Sequence, residues 1–144
     1  MKYFFDTSAL VKLFSNEAGS DKVKEIILNP DSEIYFLELL MVELWSAIYR
    51  KFRNHEIPEE NLKPLNIAIN RQLDDFIMIP MNSGVLLEAK LIIYKYGKDV
   101  GLRTLDALHV AGWAMFAEDD WIFVSSDINQ IRAVELMNYN FLKV

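Results

Sequence analysis

Short apolar segments alternate with helical patterns along the whole chain, and this alternation is what most restricts the possible fold. Between the apolar segments, residues three and four apart are apolar, which is typical of a helix with one buried face. Strands that each lead into a helix run parallel to one another, with the helices covering the sheet. We therefore expect an α/β fold, a three-layer α/β/α sandwich with a central, mostly parallel sheet. The predicted strands cover residues 2–6, 33–36, 76–79, 121–124 and 139–144.

Capping and breaking residues predict where several helices begin and end. Thr7 or Ser8 is a suitable N-cap for the helix after the first strand, and Gly97 follows the helix that begins at Ser83. Pro58 opens another helix, whereas Pro64 falls inside it and predicts a late start or a kink. The predicted helices cover residues 7–14, 20–28, 39–52, the segment from 58, and residues 83–96, 102–117 and 129–137.

Length and composition are those of one globular domain, for which we predict the bounds 1–144. The chain has no cysteine, which excludes disulfides and thiolate zinc sites. No apolar run is long enough to span a bilayer, and Asp6 interrupts the apolar run near the start, so we expect neither a membrane segment nor a signal peptide. These features predict a cytoplasmic protein.

The net charge of -6 has two opposite implications for function. It argues against a general nucleic-acid binder, because such proteins usually present a basic surface. The same excess of carboxylates is what a site for a hard metal ion needs. Net charge cannot separate these alternatives, since it does not say where the charges lie.

Four carboxylates stand at positions where acids are uncommon. Asp6 ends the first strand and Asp127 follows the strand at 121–124, while Glu43 and Asp106 lie among bulky apolar residues of predicted helices. The carboxyl ends of parallel strands form the crevice in which such folds bind ligands. Acids gathered there would repel one another unless a hard divalent cation neutralised them, and Mg²⁺ and Mn²⁺ prefer such oxygen ligands. A metal held in this way can support displacement at phosphorus.

Each acid alone also has a simpler explanation. Asp6 and Asp127 could be helix N-caps, a common position for an aspartate after a strand. Glu43 could face solvent, and Asp106 could interact with the dipole of its helix from the first turn. The two hydroxyl residues after Asp6 can cap that helix themselves and leave its carboxylate free. The occurrence of all four acids together favours a metal site.

Four short segments carry a family resemblance that spans nearly the whole chain. They are Asp6 to Leu10, Val42 to Leu44, Leu102 to His109, and Ser125 to Asp127. Their order, their spacing and the total length resemble the PIN domain, and within that family the toxin ribonucleases of VapBC toxin–antitoxin systems.

The resemblance implies a metal-dependent endoribonuclease, the toxin of a type II toxin–antitoxin system, which hydrolyses RNA phosphodiester bonds by metal-activated water. It also implies Mg²⁺ or Mn²⁺ as cofactor, RNA as substrate, a VapB-like antitoxin as partner and a homodimer. Asp127 would complete the metal site directly or through water. The implied metal ligands and catalytic residues are Asp6, Glu43, Asp106 and Asp127, and the implied supporting residues are Thr7, Arg103 and Ser125.

The chain departs from the family pattern at two places. The family often has Ser or Thr shortly before the glutamate, whereas Leu39-Leu40-Met41 stands here, so polar support for Glu43 from that segment is not expected. Ser125 replaces the usual Thr and keeps the hydroxyl.

His109 lies on the same predicted helix face as Asp106 and suggests a general base. We expect instead that it packs in the helix and makes one hydrogen bond.

Basic residues at the end of the Glu43 helix have two explanations. Arg50, Lys51 and Arg53 could interact with the helix dipole or bind RNA phosphates as weak substrate-binding candidates.

An alternative to the enzyme is a non-catalytic PIN-like module that binds protein or RNA. The presence of all four acids favours the enzyme.

Overall fold

A five-stranded sheet forms the centre of the computed structural model, which describes residues 1–144. Every neighbouring pair of strands is parallel, so the α/β/α prediction is confirmed and the sheet is wholly parallel. Each predicted strand differs from the observed one by a single residue at one or both ends. The strands are β1 (Lys2–Phe5), β2 (Glu33–Leu37), β3 (Ile77–Ile79), β4 (Trp121–Ser125) and β5 (Asn140–Lys143).

Seven helices connect and cover the strands, and none of them is long and apolar enough to span a membrane. The predicted helix 7–14 is two short pieces, because the chain tightens into a 3₁₀ turn at Val11–Phe14. Pro64 lies inside a helix that begins at Glu59, so the late start did not occur. The helices are α1 (Thr7–Leu10), α2 (Ser20–Leu28), α3 (Leu40–Arg53), α4 (Glu59–Asp74), α5 (Ser83–Tyr96), α6 (Thr104–Ala114) and α7 (Ile128–Leu136).

Successive residues of the central strand supply two separate cores. Phe4 packs with α5, α6 and α7 on one face of the sheet, and Phe5 packs with α1 to α4 on the other. Both phenylalanines are fully buried. A strand covered on both faces has no solvent side, so its sequence is continuously apolar rather than alternating. This double burial explains why the chain opens with an aromatic run.

The strand order β3-β2-β1-β4-β5 places the topological switch point between β1 and β4. The chain leaves β1 toward β2 and β3, and later returns on the other side of β1 to form β4 and β5. Ligands of open parallel sheets bind in the crevice beyond the carboxyl ends of the strands at such a point. Asp6 lies at this point, and its backbone N–H donates to the carbonyl of Val124 at 3.1 Å.

Replacement of Phe123 by alanine should destabilise the fold by about 3–5 kcal/mol, because it empties a fully packed core position. Phe123 is fully buried, stacks on Phe4 at 5.7 Å between ring centroids and meets the edge of Trp113 at 5.3 Å. Urea unfolding measures the change in the free energy of unfolding. Phe141→Ala is the matched control, because Phe141 is 39% exposed; an equal loss in both variants would contradict this description of the core.

Candidate active site

One cavity of about 570 Å³ lies at the switch point, and the structure brings all four predicted acids into its lining. Asp6 enters it from the end of β1, and Asp127 from the connection between β4 and α7. Glu43 reaches it from α3, and Asp106 from the first turn of α6. Four segments that are far apart in sequence thus present carboxylates to one space.

The four acids do not converge into a preformed ligand set. No group of three or more histidine, aspartate or glutamate side chains is placed to hold a metal ion, and the shared metal site stays a prediction. Two physical causes account for the separation. Unneutralised carboxylates repel one another, and each of the four accepts hydrogen bonds from protein donors that hold it in place.

Asp6 is the N-cap of α1, contrary to the expectation that Thr7 or Ser8 would cap this helix. Its Oδ1 accepts the backbone N–H of Ala9 at 2.9 Å, and the hydroxyls of Ser8 and Ser125 donate to Oδ2 at 2.8 and 3.0 Å. Burial raises the pKa of Asp6, and the lowering effects of His109 and of these donors do not offset it. The carboxyl group of Asp6 therefore ionises less readily in the folded protein than it would in water.

Glu43 does not face solvent but forms a half-buried contact with two partners. The Thr7 hydroxyl donates to its Oε2 at 2.6 Å, and Nε2 of His109 lies 2.5 Å from the same oxygen. Burial raises the pKa of Glu43, but the hydrogen bond and positive charge of His109, together with the Thr7 hydroxyl, bring that pKa below its usual value. The carboxylate form of Glu43 is therefore favoured.

His109 packs in α6 and bonds to Glu43, whereas the sequence left its partner unidentified. It is 2% exposed, and Nε2 carries the proton in the bond because a carboxylate can only accept. The spacing of three residues between Asp106 and His109 placed both on one side of α6. The pairing with Glu43 could not be predicted, since it joins residues 66 positions apart.

Asp106 and Asp127 are both held by helix N-termini. Oδ2 of Asp106 accepts the backbone N–H of Arg103 at 3.3 Å, while Oδ1 accepts Nε2 of Gln130 at 3.2 Å. Asp127 caps α7, and its Oδ1 accepts the backbone N–H groups of Asn129 and Gln130 at 2.8 and 3.0 Å. The simpler explanations of these two acids are therefore correct, and both side chains still line the cavity.

The hydroxyl residues join the ends of β1 and β4. Ser125 donates to Asp6 at 3.0 Å and accepts the backbone N–H of Asp127 at 2.9 Å, so it contacts two of the acids. Ser8 donates to Asp6 and accepts the N–H of Ser126 at 2.9 Å. The sequence suggested Ser8 only as a cap; its position two residues after Asp6 is the signal that was available.

The predicted basic residues separate into two groups. Arg50 and Arg103 line the cavity beside the acids. Lys51 points elsewhere and forms ion pairs with Glu17 and Glu56, both at 3.2 Å. Arg53 is exposed and does not line the cavity.

The donor chemistry of the cavity fits a hard divalent cation. All four acids offer carboxylate oxygens, which Mg²⁺ and Mn²⁺ prefer. Oε1 of Glu43 and Oδ2 of Asp127 accept no hydrogen bond within the protein, so both are available to a further partner. A cation would also relieve the cost of the buried charge on Asp6.

Comparison with known proteins establishes the family of this chain. The PIN domain model matches residues 3–136, so the chain belongs to the PIN domain family and the resemblance is confirmed. Among curated protein sequences, none gives a significant match.

Solved structures with low sequence identity share the fold over their full length. VapBC2 from Rickettsia felis, bound to a DNA fragment from its promoter, has a TM-score of 0.67 at 11% identity, covering 100% of this chain and 99% of that chain. VapBC-1 from nontypeable Haemophilus influenzae has a TM-score of 0.66 at 13% identity, with 99% and 98% covered. FitAcB from Neisseria gonorrhoeae has a TM-score of 0.58 at 16% identity, with 98% and 96% covered.

Asp6→Asn should stabilise the metal-free protein, because it removes a buried charge and keeps an oxygen that can cap α1. The melting temperature in EDTA should rise by a few degrees, at about 3 °C per kcal/mol for a chain of this length. Asp31→Asn is the control, since Asp31 is exposed and its side chain makes no hydrogen bond. A lower melting temperature for Asp6→Asn would show that the charge itself stabilises the fold.

Proposed function

We propose that this chain is a metal-dependent endoribonuclease, the toxin of a type II toxin–antitoxin system. The observation that carries the proposal is that four carboxylates and two arginines line one cavity at the switch point of the sheet. Membership of the PIN domain family supports nuclease chemistry. The full-length structural similarity to VapBC and FitAcB proteins supports the toxin class.

In the proposed site Asp6, Glu43 and Asp106 would hold Mg²⁺ or Mn²⁺, and Asp127 would complete the site directly or through water. A bound cation would supply Lewis acidity for the attack of water on a phosphodiester. The chain's own residues orient the ligands. Thr7 and His109 fix one oxygen of Glu43 and leave the other free, while Ser125 joins Asp6 to the Asp127 segment.

RNA would meet the site through its phosphates. Arg50 and Arg103 both line the acidic cavity, and their positive charges offset the repulsion between a phosphodiester and the four acids. A guanidinium binds phosphate through two parallel hydrogen bonds, which orients the strand as well as attracting it. The net charge of -6 is therefore compatible with RNA binding at one local basic contact.

A VapB-like antitoxin is the proposed protein partner, and a homodimer the proposed assembly. Two of the similar structures are VapBC proteins, one of them bound to promoter DNA. A neighbouring reading frame that encodes a small protein with a DNA-binding start and an amphipathic tail would support the partner. Light scattering of the purified chain measures the assembly.

A non-catalytic PIN-like module that binds protein or RNA is the second candidate. The observation that favours it is the absence of any three ligating side chains placed to hold a metal ion. The two candidates differ in metal binding, since the enzyme must bring at least three acids together around a cation. The module would need no such rearrangement.

The purified chain should cleave single-stranded RNA in Mg²⁺ or Mn²⁺ and stop when EDTA is added. Asp106→Asn should lower the rate at least about 100-fold, because the loss of a metal ligand weakens both metal binding and charge neutralisation at phosphorus. Denaturing gels of a labelled RNA measure the rate. Asp31→Asn should cut like the parent; if Asp106→Asn did so as well, the enzyme proposal would fail.

Arg50→Ala should weaken RNA binding and reduce its dependence on salt, whereas Lys51→Ala should not. One lost phosphate contact lowers the slope of log K against log salt by about 0.7 for single strands. Lys51 is the matched control because it is the adjacent residue and is already paired with two carboxylates. Fluorescence anisotropy in EDTA measures both slopes, and equal slopes for Arg50→Ala and the parent would remove Arg50 from the RNA contact.

A further inference from the structure

Gln130 is a buried polar residue in the cavity lining that the proposed chemistry has not used. It lies in the first turns of α7, is 2% exposed, and is followed by the buried core residue Ile131. Its carbonyl oxygen Oε1 is buried and has no hydrogen-bond partner. An unpaired buried polar atom costs about 1–3 kcal/mol. An apolar side chain of the same size would therefore give a more stable core. The stability of the fold does not explain why an amide stands at this position.

The contacts of Gln130 connect two of the four acids. Its backbone N–H donates to Oδ1 of Asp127 at 3.0 Å, and its side-chain Nε2 donates to Oδ1 of Asp106 at 3.2 Å. Asp106 and Gln130 are 24 residues apart in sequence, in α6 and α7. The residue thus joins the start of α6 to the cap of α7 across the cavity.

Both oxygens of the Asp106 carboxylate accept a hydrogen bond. The side-chain amide of Gln130 is one of the two donors. Oδ2 accepts the N–H of Arg103 within the same turn, a bond that moves with α6 itself. Only the bond from Gln130 relates the carboxylate plane of Asp106 to Asp127 on the other helix. A glutamate of the same shape could not donate when ionised and would add a fifth negative charge to the lining.

We infer that Gln130 is a positioning residue that sets the orientation of Asp106 relative to Asp127 for metal binding. The inference rests on the proposed function, since it assigns these acids to a cation. Groups that hydrogen-bond to metal ligands typically change metal affinity 10- to 100-fold when they are removed. Loss of the amide should act in this way and leave the fold intact.

Gln130→Met tests the inference, because methionine is unbranched, similar in size and has no N–H donor. Gln72→Met is the matched control, since Gln72 is the other glutamine of the chain and lies in α4 outside the cavity lining. Titration calorimetry with Mn²⁺ should give a dissociation constant at least about tenfold higher for Gln130→Met than for the parent. In EDTA its melting temperature should equal or exceed that of the parent. Gln72→Met should match the parent in Mn²⁺ affinity.

The outcomes separate this inference from the proposed function. If the parent binds Mn²⁺ and Gln130→Met binds it equally well, the positioning role is wrong and the nuclease proposal stands. If the parent binds no Mn²⁺, the proposed function fails and the inference fails with it. Gln130→Leu is the second variant; if both variants melt without cooperativity in EDTA, Gln130 is a structural residue and the inference is overturned.

Discussion

The junction between β1 and β4 determines where every part of the site lies. The backbone of Asp6 pairs with Val124, and Ser8 accepts the N–H of Ser126, so the ends of the two strands are held together. Phe4 and Phe5 anchor β1 in the two cores below this junction. Because the strand order reverses here, helices from both faces begin around the same crevice. The remaining acids reach the cavity from α3, α6 and the start of α7.

The cost of gathering negative charge explains the local structure of the cavity. Asp6 is buried and its pKa is raised, while Glu43 keeps a lowered pKa through its contact with His109. Without a cation, each acid relies on hydrogen bonds from protein donors, some in its own helix and some in distant elements. Such an arrangement stores unfavourable electrostatic energy that a bound cation would release. Functional sites commonly lower the stability of the fold in this way.

The sequence predicted most of the fold, because strands buried on both faces and amphipathic helices have short-range patterns. It also identified the four acids now seen around one cavity. It failed where an outcome depends on distant residues. Three such contacts join elements that are far apart in the chain. They are the bond from His109 to Glu43, the bond from Gln130 to Asp106 and the ion pair of Lys51 with Glu17. The cap of α1 was misassigned among three adjacent candidates, each of which has a side-chain oxygen suited to a helix N-cap.

A crystal grown with Mn²⁺ tests most directly whether these carboxylates share a cation. We expect an anomalous-scattering peak in the cavity, in contact with carboxylate oxygens of Asp6, Glu43 and Asp106. Asp106 would then keep its hydrogen bond from Gln130. A cavity without a peak at saturating Mn²⁺, with the four acids still separated and bonded only to protein donors, would contradict a shared cation.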